Sequence, residues 1–197
     1  MRRTGWIIGD RRALLALAAA LAAGAALARA TGLAERHRLT VRSPDFASGR
    51  AISLGHVYDR SGCHGGNASP ALLWSHAPAG TRSFAVLMFD PDAPGGIWWH
   101  WAVFDIPAGV RSLRAGAGDP ARHLLPAGTI EVRNDFGSRG YAGPCPPPGP
   151  PHHYHLAVYT LRSAKLGLDA SASAAQVAAA VRANSLGEAE IVGLYGR

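Results

Sequence analysis

Phe84-Ala-Val-Leu-Met-Phe89, running straight into Asp90-Pro-Asp-Ala-Pro94, is the stretch on which the fold turns. An unbroken apolar run of this length, closed by a proline turn, predicts a strand buried on both faces. Trp101-Ala-Val-Phe-Asp-Ile106 repeats the pattern and is ended by Pro107. Working outward, Leu39-Thr-Val41 reads as a first strand, Ile52 to Tyr58 as a second and Ile130-Glu-Val132 as a short one. Tyr154 to Leu161 alternates between two faces and is a strand, and Ile191 to Tyr195 is the last. One helix is expected: Ser173-Ala-Ala-Gln176 fits a capping box, and Val177, Val181 and Leu186 approximate one apolar stripe until Asn184 and Gly187 stop it. Residues 59–70 and 108–128 are long turn-rich loops. Many strands, long loops and a late helix define a mainly β chain, an antiparallel β-sandwich-like fold with a small helical addition.

At 197 residues the chain is long enough for one domain with a full core, and 24 glycines and 14 prolines suit a loop-rich β architecture. The formal charge of +7 resembles a nucleic-acid signal until it is located. Arg2, Arg3, Arg11, Arg12 and Arg29 stand against Asp10 in the first 30 residues, so more than half of the excess lies there. The rest carries no Lys/Arg block, which argues against nucleic-acid binding. Residues 1–30 read as an export signal peptide. A basic start precedes the apolar run Ala13 to Leu27, and Ala28-Arg-Ala30 supplies a small-x-small cleavage pattern. The run falls short of the roughly 20 residues that span a bilayer, although an uncleaved anchor is the alternative. Arg11-Arg12 leaves the Sec and twin-arginine routes both open, and either leads to the periplasm or the exterior. Residues 31–38 then form a linker, and 39–197 the folded domain.

Two cysteines, Cys63 and Cys145, fall in the exported part. An even count in an oxidising compartment favours a disulfide over two free thiols. Neither has a second Cys or His at finger-like spacing, so no metal site is expected on them.

Chemistry concentrates in two segments. In the first, Pro91 and Pro94 hold Asp90 and Asp92 with little freedom, and His100 follows between Trp99 and Trp101. The bland alternatives are a turn whose aspartates cap backbone amides and a satisfied core histidine. In the second, Gly143-Pro-Cys-Pro-Pro147 leads through further prolines to His152-His-Tyr154. Alternation puts His152 and Tyr154 on one face and His153 and His155 on the other. The prolines make either a rigid rim for a preformed site or a polyproline surface loop that docks a partner. If Asp90, His100, His152 and Tyr154 converge, one acceptor and several donors suit a phosphoryl group or zwitterionic headgroup better than a plain anion. Pairing with Asp90 is expected to raise a histidine pKa and favour the cationic, anion-binding form.

Asn67 to Trp74, Asp90 to Pro107, Asn134-Asp-Phe-Gly137 with Gly140-Tyr-Ala-Gly143, Pro146 to Leu161, and the ending Ala183 to Arg197 resemble, in order, the bacterial branch of the phosphatidylethanolamine-binding proteins, the Raf kinase inhibitor-like group. The resemblance implies a large central antiparallel sheet packed on a smaller one, with a shallow ligand pocket at one end. Carried over by position, that pocket would use Asp90, Pro94, Trp98, His100, Gly143, His152 and Tyr154, with Asp92 more structural. His153 departs from the family, which commonly has Arg there, and the departure is expected to remove a salt bridge. The resulting expectation is a non-enzymatic binding protein for phosphoryl or anionic small molecules or phospholipid headgroups, needing no cofactor or metal, with regulation of another protein as a further role. The alternatives are a protease-inhibitor-like interaction module with an envelope partner and a metal-dependent hydrolase. Against hydrolysis, the chain has no Gly-x-Ser-x-Gly elbow, no His-Glu-x-x-His and no evident nucleophile.

Overall fold

The computed structural model describes residues 38–197. The export signal at 1–30 and all but the last residue of the linker at 31–38 lie outside the described residues. Among the described residues, nine strands and one α-helix follow in chain order: β1 (Thr40–Arg42), β2 (Arg50–Ala51), β3 (Leu72–Ser75), β4 (Ser83–Asp90), β5 (Trp98–Pro107), β6 (Ser112–Leu113), β7 (Ile130–Glu131), β8 (His152–Leu161), α1 (Ala174–Asn184) and β9 (Ser185–Tyr195). A six-stranded sheet has the order β2-β9-β8-β4-β5-β7, and a three-stranded sheet has the order β1-β3-β6.

The two apolar runs sit where their composition puts them. β4 is central, antiparallel to β5 on one side and β8 on the other. Its side chains alternate between two cores. Phe84, Val86 and Met88 pack with Leu72, Trp74 and Leu113 of the small sheet. Ala85 and Leu87 pack on the other face with Val177, Ala178 and Val181 of α1. A strand covered on both sides cannot alternate apolar and polar, which is why the run is continuous. The capping box of α1 is formed in both directions: Gln176 N donates to Ser173 Oγ, and Ser173 N donates to Gln176 Oε1.

Two sequence expectations fail for reasons of partnership. Ile52 to Tyr58 is not a strand. Pairing with β9 ends when Ile52 N donates to Leu194 O, and Leu54–His56 turns as a 3-10 helix. The backbone of Val57 and Tyr58 is then taken up by the glycine loop, with Asn67 N donating to Val57 O and Gly65 N to Tyr58 O. Leu186 is not on the helical stripe either. α1 stops at Asn184, the chain turns extended, and β9 pairs with β8 from Ser185 onward, leaving Leu186 39% exposed. The last strand therefore starts six residues before the expected Ile191.

Cys63 and Cys145 form a disulfide, with Cα atoms 5.9 Å apart and 82 positions apart in sequence. It joins the glycine loop to the proline loop beside a small cluster of Val57, Tyr58 and Ala142. In the chain-entropy account, closing a loop of this length stabilises by about 4–5 kcal/mol. Urea unfolding of the oxidised protein and of a Cys63→Ala/Cys145→Ala variant should differ by a few kcal/mol. A difference below about 1 kcal/mol would mean that the two loops are ordered without the bond.

Candidate functional site

Antiparallel pairing brings three strand ends to one edge. The C-terminal end of β4 lies beside the start of β5, with Asp90 opposite Trp98, and beside the start of β8, with Phe89 opposite His155. Residues at the end of one strand and the beginnings of two others therefore meet, although Asp90 and His152, for example, are 62 positions apart. Asp90, Pro94, Trp98, His100, His152 and Tyr154 line one cavity of about 310 Å³, closed by Ala93, Phe136, Cys145, Pro146 and Pro147. Gly143 does not line it. A Cβ there would sit 2.1 Å from His56 O and 2.6 Å from Tyr58 N, so glycine is required for close backbone packing behind the site.

Asp90 is the hinge of the polar group. Its Oδ1 accepts from Asp92 N at 2.8 Å, closing the turn, and its Oδ2 accepts from His152 Nδ1 at 2.7 Å. The carboxylate is only 3% exposed, so both hydrogen bonds offset a real desolvation cost. Asp92 points the other way. Its Oδ2 accepts from both the backbone N and Nδ1 of His153, at 2.8 and 2.7 Å, and these bonds hold its carboxyl below the ordinary range. Whatever an Arg would contribute at this position, the His153 imidazole stitches the turn to β8 through Asp92.

His100 stands apart from the Asp90–His152 pair. Its ring is buried, and Nδ1 donates to Ala142 O at 2.6 Å, which leaves the Nε2 lone pair as the other ring group. Burial outweighs the attraction of Ala142 O and Asp90, and pushes the His100 pKa down rather than up. His100 is consequently a neutral acceptor at physiological pH. Tyr154 complements it edge to face, with ring centroids 5.2 Å apart. Its hydroxyl is buried with no acceptor in hydrogen-bonding geometry. Burial, then the negative charge of Asp90 and a loose approach of the hydroxyl to that carboxylate, raises its pKa far above the ordinary phenol range, so it remains a donor.

Phe136 is the wall that sequence reasoning missed. It stacks near Tyr58 at 4.3 Å and meets Trp98 and His100 edge on, at 5.3 and 5.6 Å. Its neighbours hold it: Asn134 Oδ1 accepts from Phe136 N, and Asp135 Oδ2 accepts from Trp99 N. The Asn-Asp-Phe-Gly run has the character of a side-chain-locked turn, which was the available signal. On the opposite rim, Arg197 Nε donates to Pro146 O at 2.5 Å and Nη1 to Gly62 O at 3.1 Å, so the final residue braces both disulfide-linked loops.

The sequence model for the phosphatidylethanolamine-binding protein family matches residues 42–196. The chain belongs to that family. It is 44% identical over 171 residues to the UPF0098 protein YbcL of Escherichia coli K12, covering 86% of this chain and 93% of that protein. The crystal structure of YbcL, described as a new member of the mammalian PEBP family, superposes with a TM-score of 0.79 over 81% of this chain and 99% of that one. LppC of Mycobacterium tuberculosis H37Rv, named as a lipoprotein, is 39% identical over 158 residues, 80% of this chain and 72% of LppC. A PEBP homologue from Chlamydia trachomatis, CT736, shares the fold at 26% identity and a TM-score of 0.68, over 82% of this chain and 99% of that one.

An orphaned phenol makes a direct prediction. Tyr154→Phe should leave thermal stability unchanged or raise it, by up to about 1–3 kcal/mol, because a buried hydroxyl without a partner costs free energy. A marked fall in melting temperature would show that the hydroxyl has a partner in the free protein.

Proposed function

We propose that the cavity binds a small phosphoryl-bearing molecule that also carries a proton to donate, a phosphate monoester or a zwitterionic headgroup, and releases it unchanged. Family membership supports a ligand-binding role in general, and the finer reading rests on the buried Tyr154 hydroxyl, which lies near the Asp90 carboxylate but meets no acceptor among the described residues in full hydrogen-bonding geometry. A phosphoryl oxygen beside it would accept that hydrogen bond. Neutral His100 offers an acceptor at Nε2, and the Asp90–His152 pair offers a carboxylate already half committed. A plain dianion would meet Asp90 without a compensating cation, since no Lys or Arg among the described residues lines the cavity. A ligand that keeps one proton, or brings an ammonium, avoids that repulsion. Trp98, Phe136, Pro146 and Pro147 supply apolar walls for the carbon part.

Binding without turnover fits the same groups. Among the described residues, the only sulfur at the site belongs to the Cys63–Cys145 disulfide, and no serine lines the cavity. The disulfide, the likeness to a protein named as a lipoprotein and the leader-like first 30 residues together favour a place outside the cytoplasm.

Titration calorimetry with O-phosphorylethanolamine at pH 8 and pH 6 tests this. Complex formation places a proton between phosphoryl oxygen and imidazole, so affinity should rise as pH falls, by at most about tenfold per pH unit. Tyr154→Phe should weaken binding roughly five- to tenfold, in line with about 1–1.4 kcal/mol for one hydrogen bond. Equal affinity at both pH values, or no heat at either, counts against the reading.

A further inference from the structure

A second hollow, of about 500 Å³, opens in the excursion between β6 and β7 and shares no lining residue with the cavity above. Leu124, Leu125 and Ile130 form its apolar part, and Asp119, Glu131 and Arg139 its charged part. Glu131 is only 7% exposed, and its Oε1 accepts from Trp101 Nε1 at 2.6 Å. An uncharged acceptor would serve Trp101 equally well, so the indole does not account for a carboxyl at this depth. Burial, partly opposed by the Trp101 N–H and by Arg139 and reinforced by Asp119, raises the Glu131 pKa to about 7. Among the described residues, Arg139 has no carboxylate within 4.0 Å and Asp119 has no cation within that distance. Thr129 lines the same hollow, and its hydroxyl is buried with no partner.

The hollow therefore collects a buried carboxyl, an unpaired acid, an unpaired guanidinium and an orphaned hydroxyl around an apolar patch. We propose that it is a second binding site, for a small zwitterionic amine of the amino-acid type, whose ammonium meets Glu131 and Asp119 and whose carboxylate meets Arg139. The Thr129 hydroxyl gains a partner, and the methylenes of the ligand lie on Leu124 and Leu125. This site stands independently of the phosphoryl reading of the first cavity.

Its pH dependence has the opposite sign. An ammonium needs Glu131 ionised, so affinity falls as pH drops below about 7, by up to tenfold per pH unit. The other groups around Glu131 do not reverse this. His123 and Asp119 are the other titratable side chains that line the hollow, and neither replaces the negative charge that Glu131 supplies at the buried end. Arg139 keeps its charge throughout. Lys165 is spent at the rim, where its Nζ donates to Gly128 O at 2.7 Å.

The test uses the full chain with glycine, β-alanine, 4-aminobutyrate and 6-aminohexanoate as probes, since chain length sets which one spans Glu131 and Arg139. At least one should bind at pH 8 and bind about thirtyfold more weakly at pH 5.5, on the tenfold-per-unit rule below pH 7. Glu131→Gln, which keeps an acceptor for Trp101, should abolish that binding, Arg139→Gln should weaken it, and Tyr154→Phe should leave it unchanged. In the wild type, the Glu131 carboxyl carbon followed by NMR should titrate at lower pH when the probe is present. No binding by any probe at pH 8, affinity independent of pH, or a Glu131 titration unmoved by a bound probe overturns the proposal.

Discussion

The antiparallel pairing of β4 with both β5 and β8 is the constraint on which the rest of the structure depends. Because β4 runs against both neighbours, its last residue must lie beside their first ones. Any chemistry written at the end of one strand and the beginning of two others is then collected at one sheet edge. That arrangement needs β4 to be central, and β4 is central because its residues are apolar on both faces. The same burial that places the site also supplies most of the free energy of the two cores. Site and core are therefore consequences of one packing arrangement.

Rigidity at that edge comes from several independent ties, each with a different physical character. Asp90 and Asp92 anchor the proline turn to His152 and His153 through charge-assisted hydrogen bonds. Phe136 is fixed by its own backbone and by the Asn134 side chain. The proline loop is held by a disulfide and by the C-terminal guanidinium. A cavity bounded in this way has few rotamers to lose on binding, which is the advantage of a preformed site.

Two buried ionisable groups show how burial, rather than charge pairing, sets protonation here. His100 lies near Asp90, yet desolvation of the imidazolium prevails and the ring stays neutral. Glu131 lies near Arg139, yet desolvation prevails there too and the carboxyl holds its proton to about pH 7. In each case the free energy lost with the hydration of the charged form exceeds what the opposite charge returns. Adjacent residues of β5 thus serve two different hollows: His100 lines the first, and Trp101, from the core, donates to the Glu131 carboxyl of the second.

Local pattern alone carried a good part of this structure. The runs of Phe84–Phe89 and Trp101–Ile106, the alternation of Tyr154–Leu161 and the Ser173–Gln176 capping box are short-range signals, and each element formed where it was read. The pairing of Cys63 with Cys145 followed from there being two cysteines. What failed or was invisible depended on distant partners. Ile52–Tyr58 turned instead of extending because residues 65–67 took its backbone, and Leu186 left the helix because β8 offered a longer ladder. Phe136 reached the cavity, Gly143 withdrew behind it, His153 found Asp92 and His100 stayed neutral only in three dimensions. Residue order determines which segments can bury themselves; which groups then lose water, and which meet, is decided only when segments far apart in the chain compete for the same space.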